Sequence, residues 1–263
     1  MKPILLSALL LLLALNGFAQ QMQNDYFLGK NLICPPADAK DEEMLKLGID
    51  CFQFEKYHPT ATKIFTDLIK KDSTFCDAWF FAGYSLRIQG MVKEASVFYY
   101  MADSLSNNKS EVFKQNLATT LFMAGATKVA RKKFTEMVQY FPQNPEGYYG
   151  IALTSLDIKD FENGLDCINK AIGKYTYNNQ GAFYMKALLL TLTGQYSDGL
   201  HFLEKCKSQF KKDDNYNTAM AVCLYRTGGE KNDEKILKAA DKAKAKVKQK
   251  DKVLPELLAL LPN

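Results

Sequence analysis

Apolar residues in this chain recur at helical spacing, in blocks that repeat every 34 or 35 residues from about Met44 to Lys246. The block around Asp77 is the clearest: Trp79, Ala82, Gly83 and Leu86 fall at i, i+3, i+4 and i+7, one face of a helix. Gly90 then predicts a stop where the backbone turns left-handed. Val92, Ala95, Tyr99 and Ala102 begin a second stripe. Small residues stand where two such helices must cross, at Gly48, Gly83, Ala118, Ala152, Ala187 and Ala221, which are 35, 35, 34, 35 and 34 residues apart. A second small residue follows in each block, at Ala61, Ala95, Ala130, Gly164, Gly199 and Ala239 or Ala240. Turn glycines are expected at Gly90, Gly125, Gly194 and Gly228. A period of this length, built from two amphipathic stretches, predicts stacked helical hairpins. Glycine and alanine let the paired backbones approach, while the large apolar residues fill the space beside them.

The order of residues within a block resembles the tetratricopeptide repeat: an aromatic, Leu/Ala-Gly, a turn glycine, a small residue, an aromatic, then a closing alanine and proline. The third block matches with Leu117-Ala118, Leu121, Gly125, Ala130, Phe134 and Pro142, and the fifth with Phe183, Ala187, Leu190, Gly194, Tyr196, Gly199 and Leu203. The fourth offers Tyr148, Ala152, Phe161, Gly164, Ile168 and Ala171, but Lys159 replaces its turn glycine. In the first, an extra residue near His58-Pro59 places proline where it can open a helix. The resemblance implies an all-α fold, a right-handed superhelical solenoid of about six helix-turn-helix repeats.

The chain divides accordingly into a leader at 1–19, a leading or capping segment at 20–40, the repeat array at 41–250 and a C-terminal capping helix at 251–263. The leader reads as a signal peptide: Lys2, an apolar run from Ile4 to Leu15, and a small-x-small site at Gly17-Phe18-Ala19. No cysteine follows it, so a lipoprotein is not expected, and a periplasmic or secreted location is. Leu254-Pro-Glu-Leu-Leu-Ala-Leu-Leu is expected to close the array, because open arrays must cover their terminal apolar faces. Its apolar character also suits a partner site.

Composition changes this picture little. The net charge of +5 is too mild for a nucleic-acid binder. Nine lysines between Lys231 and Lys252 are interrupted by acids and read as a solvated helix face; peripheral contact with an anionic membrane is the alternative. Six cysteines in an exported protein allow disulfides. Most are expected to be buried thiols. Cys206 with Cys223 is the first pair to test, and Cys34 is placed to clip down the leading segment.

No metal-ligand spacing, nucleophile elbow, phosphate loop or HExxH is present, and His58 and His201 lie in different blocks. Neither an enzyme nor a cofactor is expected, and acidic residues are expected on solvated faces. The family resemblance instead directs attention to a groove lined by the first helix of each pair. There the expected ligand-binding residues are Phe80, Tyr84, Arg87, Phe122, Tyr149, Tyr184, Tyr225 and Arg226. Tyrosine offers apolar area plus a hydroxyl, and arginine can clamp a carboxylate. The Lys/Asn arrangement with which some family members hold an acidic C-terminus is missing. A peptide or protein partner is expected, with carbohydrate or small-ligand capture by the same groove as the alternative. For reading peptide backbone, the supply of amide side chains is sparse: Gln53, Gln115 and Asn215.

Overall fold

The computed structural model describes residues 26–262, so the expected leader lies outside the described residues. The chain forms two compact units, divided between Gln143 and Asn144. The first holds α1 (Ala39–Asp50), α2 (His58–Lys71), α3 (Cys76–Ile88), α4 (Val92–Leu105), α5 (Glu111–Met123) and α6 (Thr127–Tyr140). The second holds α7 (Pro145–Ile158), α8 (Phe161–Lys174), α9 (Gln180–Leu192), α10 (Tyr196–Phe210), α11 (Asp214–Lys231), α12 (Glu234–Lys244) and the short α13 (Pro255–Ala259). No strand occurs among the described residues, and no helix there is long and apolar enough to cross a membrane. Within each unit consecutive helices pack pairwise, so odd-numbered helices α1 to α11 are the first members of six pairs.

The small residues sit at the crossings. A methyl added to Gly48 would lie 2.6 Å from the Phe65 ring, one on Gly83 would lie 3.1 Å from Tyr99, and one on Gly164 would lie 2.7 Å from the Ser155 Cβ. Side chains there would have to displace the core. Four of the first helices, α5, α7, α9 and α11, start on side-chain caps: Ser110, Asn144, Asn179 and Asp213 each accept a backbone N–H from the first turn. Pro59 opens α2 as expected.

The turns show two adjustments. Gly90, Gly125 and Gly194 are left-handed with φ of 80°, and Lys159 adopts the same conformation with φ of 61°, so the fourth pair turns without its glycine. The sixth pair does not turn at Gly228. There α11 runs on to Lys231, Asn232 takes the left-handed position, and Gly228 accommodates Ile236, 2.8 Å from where its Cβ would be. Asn tolerates that conformation better than other side chains.

The unit 26–143 contains a buried ion cluster. Lys114 is fully enclosed, with its Nζ 3.0 and 3.1 Å from the two Asp103 carboxylate oxygens and 3.5 Å from Glu136 Oε2. Lys133, nearer the surface, pairs with Glu136 at 2.8 Å and reaches Asp103 at 3.6 Å.

Cys34 and Cys76 form a disulfide, clipping the leading segment to α3. The pairing of Cys206 with Cys223 does not occur. Cys206 Sγ faces the Leu203 carbonyl and Cys223 Sγ lies 3.2 Å from Thr191 Oγ1, so the two thiols serve different contacts. Cys167, Cys206 and Cys223 are buried free thiols, and Cys51 is half-buried.

Candidate functional site

The eight expected groove residues divide by burial. Phe80, Phe122, Tyr149 and Tyr184 are buried, Tyr84, Arg87 and Tyr225 are half-buried, and Arg226 is exposed. The four buried rings therefore do not line an open groove. Phe80 is covered by Tyr26 and Phe27 of the leading segment and Tyr184 by Phe210 of α10.

In the unit 26–143 the covering comes from the leading segment. Tyr26 stacks on Phe81 with centroids 5.2 Å apart and meets Phe80 and Phe113 edge-on. Phe27 packs 4.9 Å from Tyr84, whose other side meets Phe52, also at 4.9 Å. Asp77, at the start of α3, organises this segment: it accepts hydrogen bonds from the Tyr26 hydroxyl at 2.6 Å and from the backbone N–H groups of Ile33 and Cys34 at 3.1 and 2.7 Å. Burial pushes the Asp77 carboxyl above its ordinary range, although these three donors pull the other way. Cys34, Cys76 and Asp77 are close enough together to share an ion, but the sulfurs are bonded to each other and the carboxylate is engaged. Arg87 lies over the Tyr84 ring, 5.2 Å from its centroid. Its Nε is buried without an acceptor, and the guanidinium faces the buried Tyr99 hydroxyl.

In the unit 144–262, Tyr184 stacks on Phe210 at 4.2 Å and donates its hydroxyl to Asp213. The Tyr225 hydroxyl donates to Asp241 at 2.5 Å, which pushes its own pKa up to about 12. Arg226 reaches the Leu260 carbonyl at 3.4 Å. The C-terminal segment lies along the first helices here: α13 packs on α9 and α11, and Glu256 pairs at 2.6 Å with Lys159 beyond the end of α7. Asn215, buried at the start of α11, grips its backbone on both sides, accepting from the Leu254 N–H at 2.7 Å and donating to the Lys252 carbonyl at 3.4 Å.

The expectation of solvated acids fails at Asp77, Asp103 and Glu146, all buried. Asp77 stands inside the apolar run Phe75 to Phe81, and that context is the signal sequence reading passes over. Glu146 is 5% exposed and accepts the Tyr175 hydroxyl at 2.8 Å. Burial raises its pKa to about 7, only partly opposed by that hydrogen bond. The nearby Tyr149 and Tyr177 hydroxyls are raised in turn by burial first and by the Glu146 charge second. In the folded chain Glu146 therefore holds its proton at pH values where the unfolded chain has released it. The Glu146 contribution to stability should be greatest below about pH 4.5 and decline as pH rises towards 7, by at most about 3.4 kcal/mol. Glu146→Gln should flatten this slope in urea titrations run from pH 5 to 8; an unchanged slope would exclude Glu146 as its source.

Tyr175 and Tyr177, with Ile172, Thr176, Asn178, Asn179 and Phe183, also line a recess of about 250 Å³.

No family model matches this sequence, and no curated protein does. Solved structures do match in architecture. YrrB, described as a TPR protein with an unusual peptide-binding site, aligns with a TM-score of 0.58 at 17% identity over 74% of this chain and 96% of its own. PilF of Pseudomonas aeruginosa aligns with 0.61 at 15% identity over 76% and 88%. A tetratricopeptide repeat protein from Parabacteroides merdae aligns with 0.59 at 16% identity over 85% and 99%. Identities this low speak to architecture alone. Six helix pairs, small residues at their crossings and these structural matches establish that the chain has the tetratricopeptide-repeat fold.

Proposed function

We propose that this chain is an exported, non-enzymatic scaffold that binds an extended peptide or protein partner on the first-helix faces of its repeats. One observation carries the reading: each unit already holds a stretch of its own polypeptide, from outside the helix pairs, on that face, and does so through side chains that grip backbone. Asp77 receives the N–H groups of Ile33 and Cys34, and Asn215 takes both a carbonyl and an N–H from residues 252–254. Such contacts recognise main chain, which is what binding of extended peptides requires. The peptide-binding site named for YrrB supports the same reading. Tyr84, Arg87, Tyr225 and Arg226 are the expected residues left with accessible surface, so they are assigned ligand contact. Phe80, Phe122, Tyr149 and Tyr184 are assigned to holding the face in shape from within.

Selection from a displayed peptide library, followed by titration of the best binder, tests this. Tyr84→Ala should weaken a peptide seated on the 26–143 unit by about 1–2 kcal/mol, a factor of roughly 5 to 30, with the helical signal unchanged. A library yielding no binder removes the reading. Binders that all ignore both Tyr84→Ala and Arg226→Ala remove the assigned contacts.

A second reading, capture of a carbohydrate or small ligand, is favoured by the recess at Tyr175 and Tyr177. It combines two rings able to stack on a sugar face with the exposed amide of Asn178. Binding on a glycan array, lost on Tyr177→Ala, would move the site from the first-helix faces to this recess.

A further inference from the structure

We infer that the C-terminal segment 252–262 is an internal ligand: it occupies in cis a peptide seat on α9 and α11 that accepts, in trans, peptides carrying apolar-Pro-acid-apolar residues. This rests on the scaffold reading and adds the site, its ligand pattern and its regulation.

The path of the segment is the first argument. A cap for the last pair needs only to cover the end of the array. This segment instead leaves α12, turns back at Lys248 and Gln249, whose N–H groups are fixed by the Asp214 carboxylate at 2.9 and 3.0 Å, and runs over α11 and α9 towards the end of α7. It therefore reaches the first helices of two successive pairs and the turn of a third.

The chemistry of the contacts is the second argument. Asn215 satisfies a carbonyl and an N–H two residues apart, a grip indifferent to side-chain identity. Specificity then comes from Leu254 and Leu257, both buried, and from Glu256 on the Lys159 ammonium. Lys159 replaces the turn glycine while keeping the left-handed backbone, as Asn232 does in the sixth pair. A β-carbon is unfavourable there, and the position instead supplies the cation that meets the segment's acid. Beyond Leu257 the hold weakens. Arg226 reaches the Leu260 carbonyl at 3.4 Å and Lys244 reaches the Pro262 carbonyl at 2.9 Å, both at the exposed surface. A segment anchored at one end and loosely held at the other is suited to peeling away.

Tethering explains how the seat stays closed. A covalently attached ligand acts at an effective concentration of about millimolar, so a free peptide of the same sequence competes poorly until the tether is released.

The test uses the full-length chain and a fluorescent synthetic peptide spanning residues 250–262. Leu257→Asp removes the buried anchor from the segment without altering the seat. This variant should bind the peptide at least 10-fold more tightly than the unaltered chain, and adding Asn215→Ala should abolish that gain. Equal binding to both chains, or binding to neither while Leu257→Asp retains its helical signal, overturns the inference. If Leu257→Asp loses its fold, hydrogen exchange on the unaltered chain decides. Amides of residues 254–261 exchanging at least 100-fold faster than the centre of α11 support a displaceable segment; equal protection overturns it. Running the displayed library on both chains separates the two readings. Peptides bound equally by both leave the scaffold standing and remove the internal ligand, whereas no binding to either removes both.

Discussion

Asp103→Ala is expected to destabilise the 26–143 unit by about 3–5 kcal/mol, because it strands the fully enclosed Lys114 ammonium. Glu136 cannot take over, since it lies 3.5 Å from that ammonium and already pairs with Lys133 at 2.8 Å. The reciprocal change, Lys114→Ala, should cost less: Asp103 keeps Lys133 at 3.6 Å, and that cation can approach from the surface. Replacing the pair together, as Asp103→Leu with Lys114→Met, should come close to the parent stability because no charge remains buried alone. Urea midpoints for the four proteins check the ordering. An Asp103→Ala midpoint matching the parent would mean that the cluster contributes nothing.

Removing the Cys34–Cys76 bridge should cost a similar amount. It closes a loop with a sequence separation of 42. The chain-entropy relation gives about 4 kcal/mol for a loop of that size. The expected result is a lower unfolding midpoint for Cys34→Ala/Cys76→Ala and for the parent in dithiothreitol, the two agreeing with each other. The effect should be local as well as global. Without the bridge, the Asp77 carboxylate is left to hold Tyr26, Ile33 and Cys34 through hydrogen bonds alone. Faster hydrogen exchange of residues 26–34 would register that loosening, and unchanged exchange together with an unchanged midpoint would exclude the bridge as a stabilising element.

The repeat architecture was legible because helix crossings demand small side chains wherever they occur. Gly48, Gly83 and Gly164 could not be anything larger without displacing Phe65, Tyr99 or Ser155. The second helices were legible for a related reason: α8 buries Gly164, Leu165, Cys167, Ile168 and Ala171 and exposes Glu162, Asn163, Asp166, Asn169 and Lys170, so its stripe is plain. The first helices obeyed a different rule. In α3, Phe80 and Phe81 are both buried and so are Ala82, Gly83, Ser85 and Leu86, because the helix is covered on more than one side. A helix covered in this way has no polar face from which to read an outward direction. That is why Phe80, Phe122, Tyr149 and Tyr184 were expected in a groove and are found inside.

Buried charge was illegible for the opposite reason. Nothing in the identity of Lys114 or Glu146 distinguishes it from the many solvated lysines and glutamates of the chain; only the partners brought by the fold do. Asn215 lies between these cases. Its amide suited backbone recognition in sequence, but the chain it holds lies 37 to 39 residues further on, beyond what local pattern reveals.

The arrangement of sulfur has a practical consequence. Two of the six cysteines are bonded to each other and three are enclosed, so a maleimide applied to the native protein meets only Cys51. That residue adjoins Phe52, whose ring rests against Tyr84. A polarity-sensitive dye attached there gives an optical readout of whatever arrives at Tyr84, with every native side chain left in place.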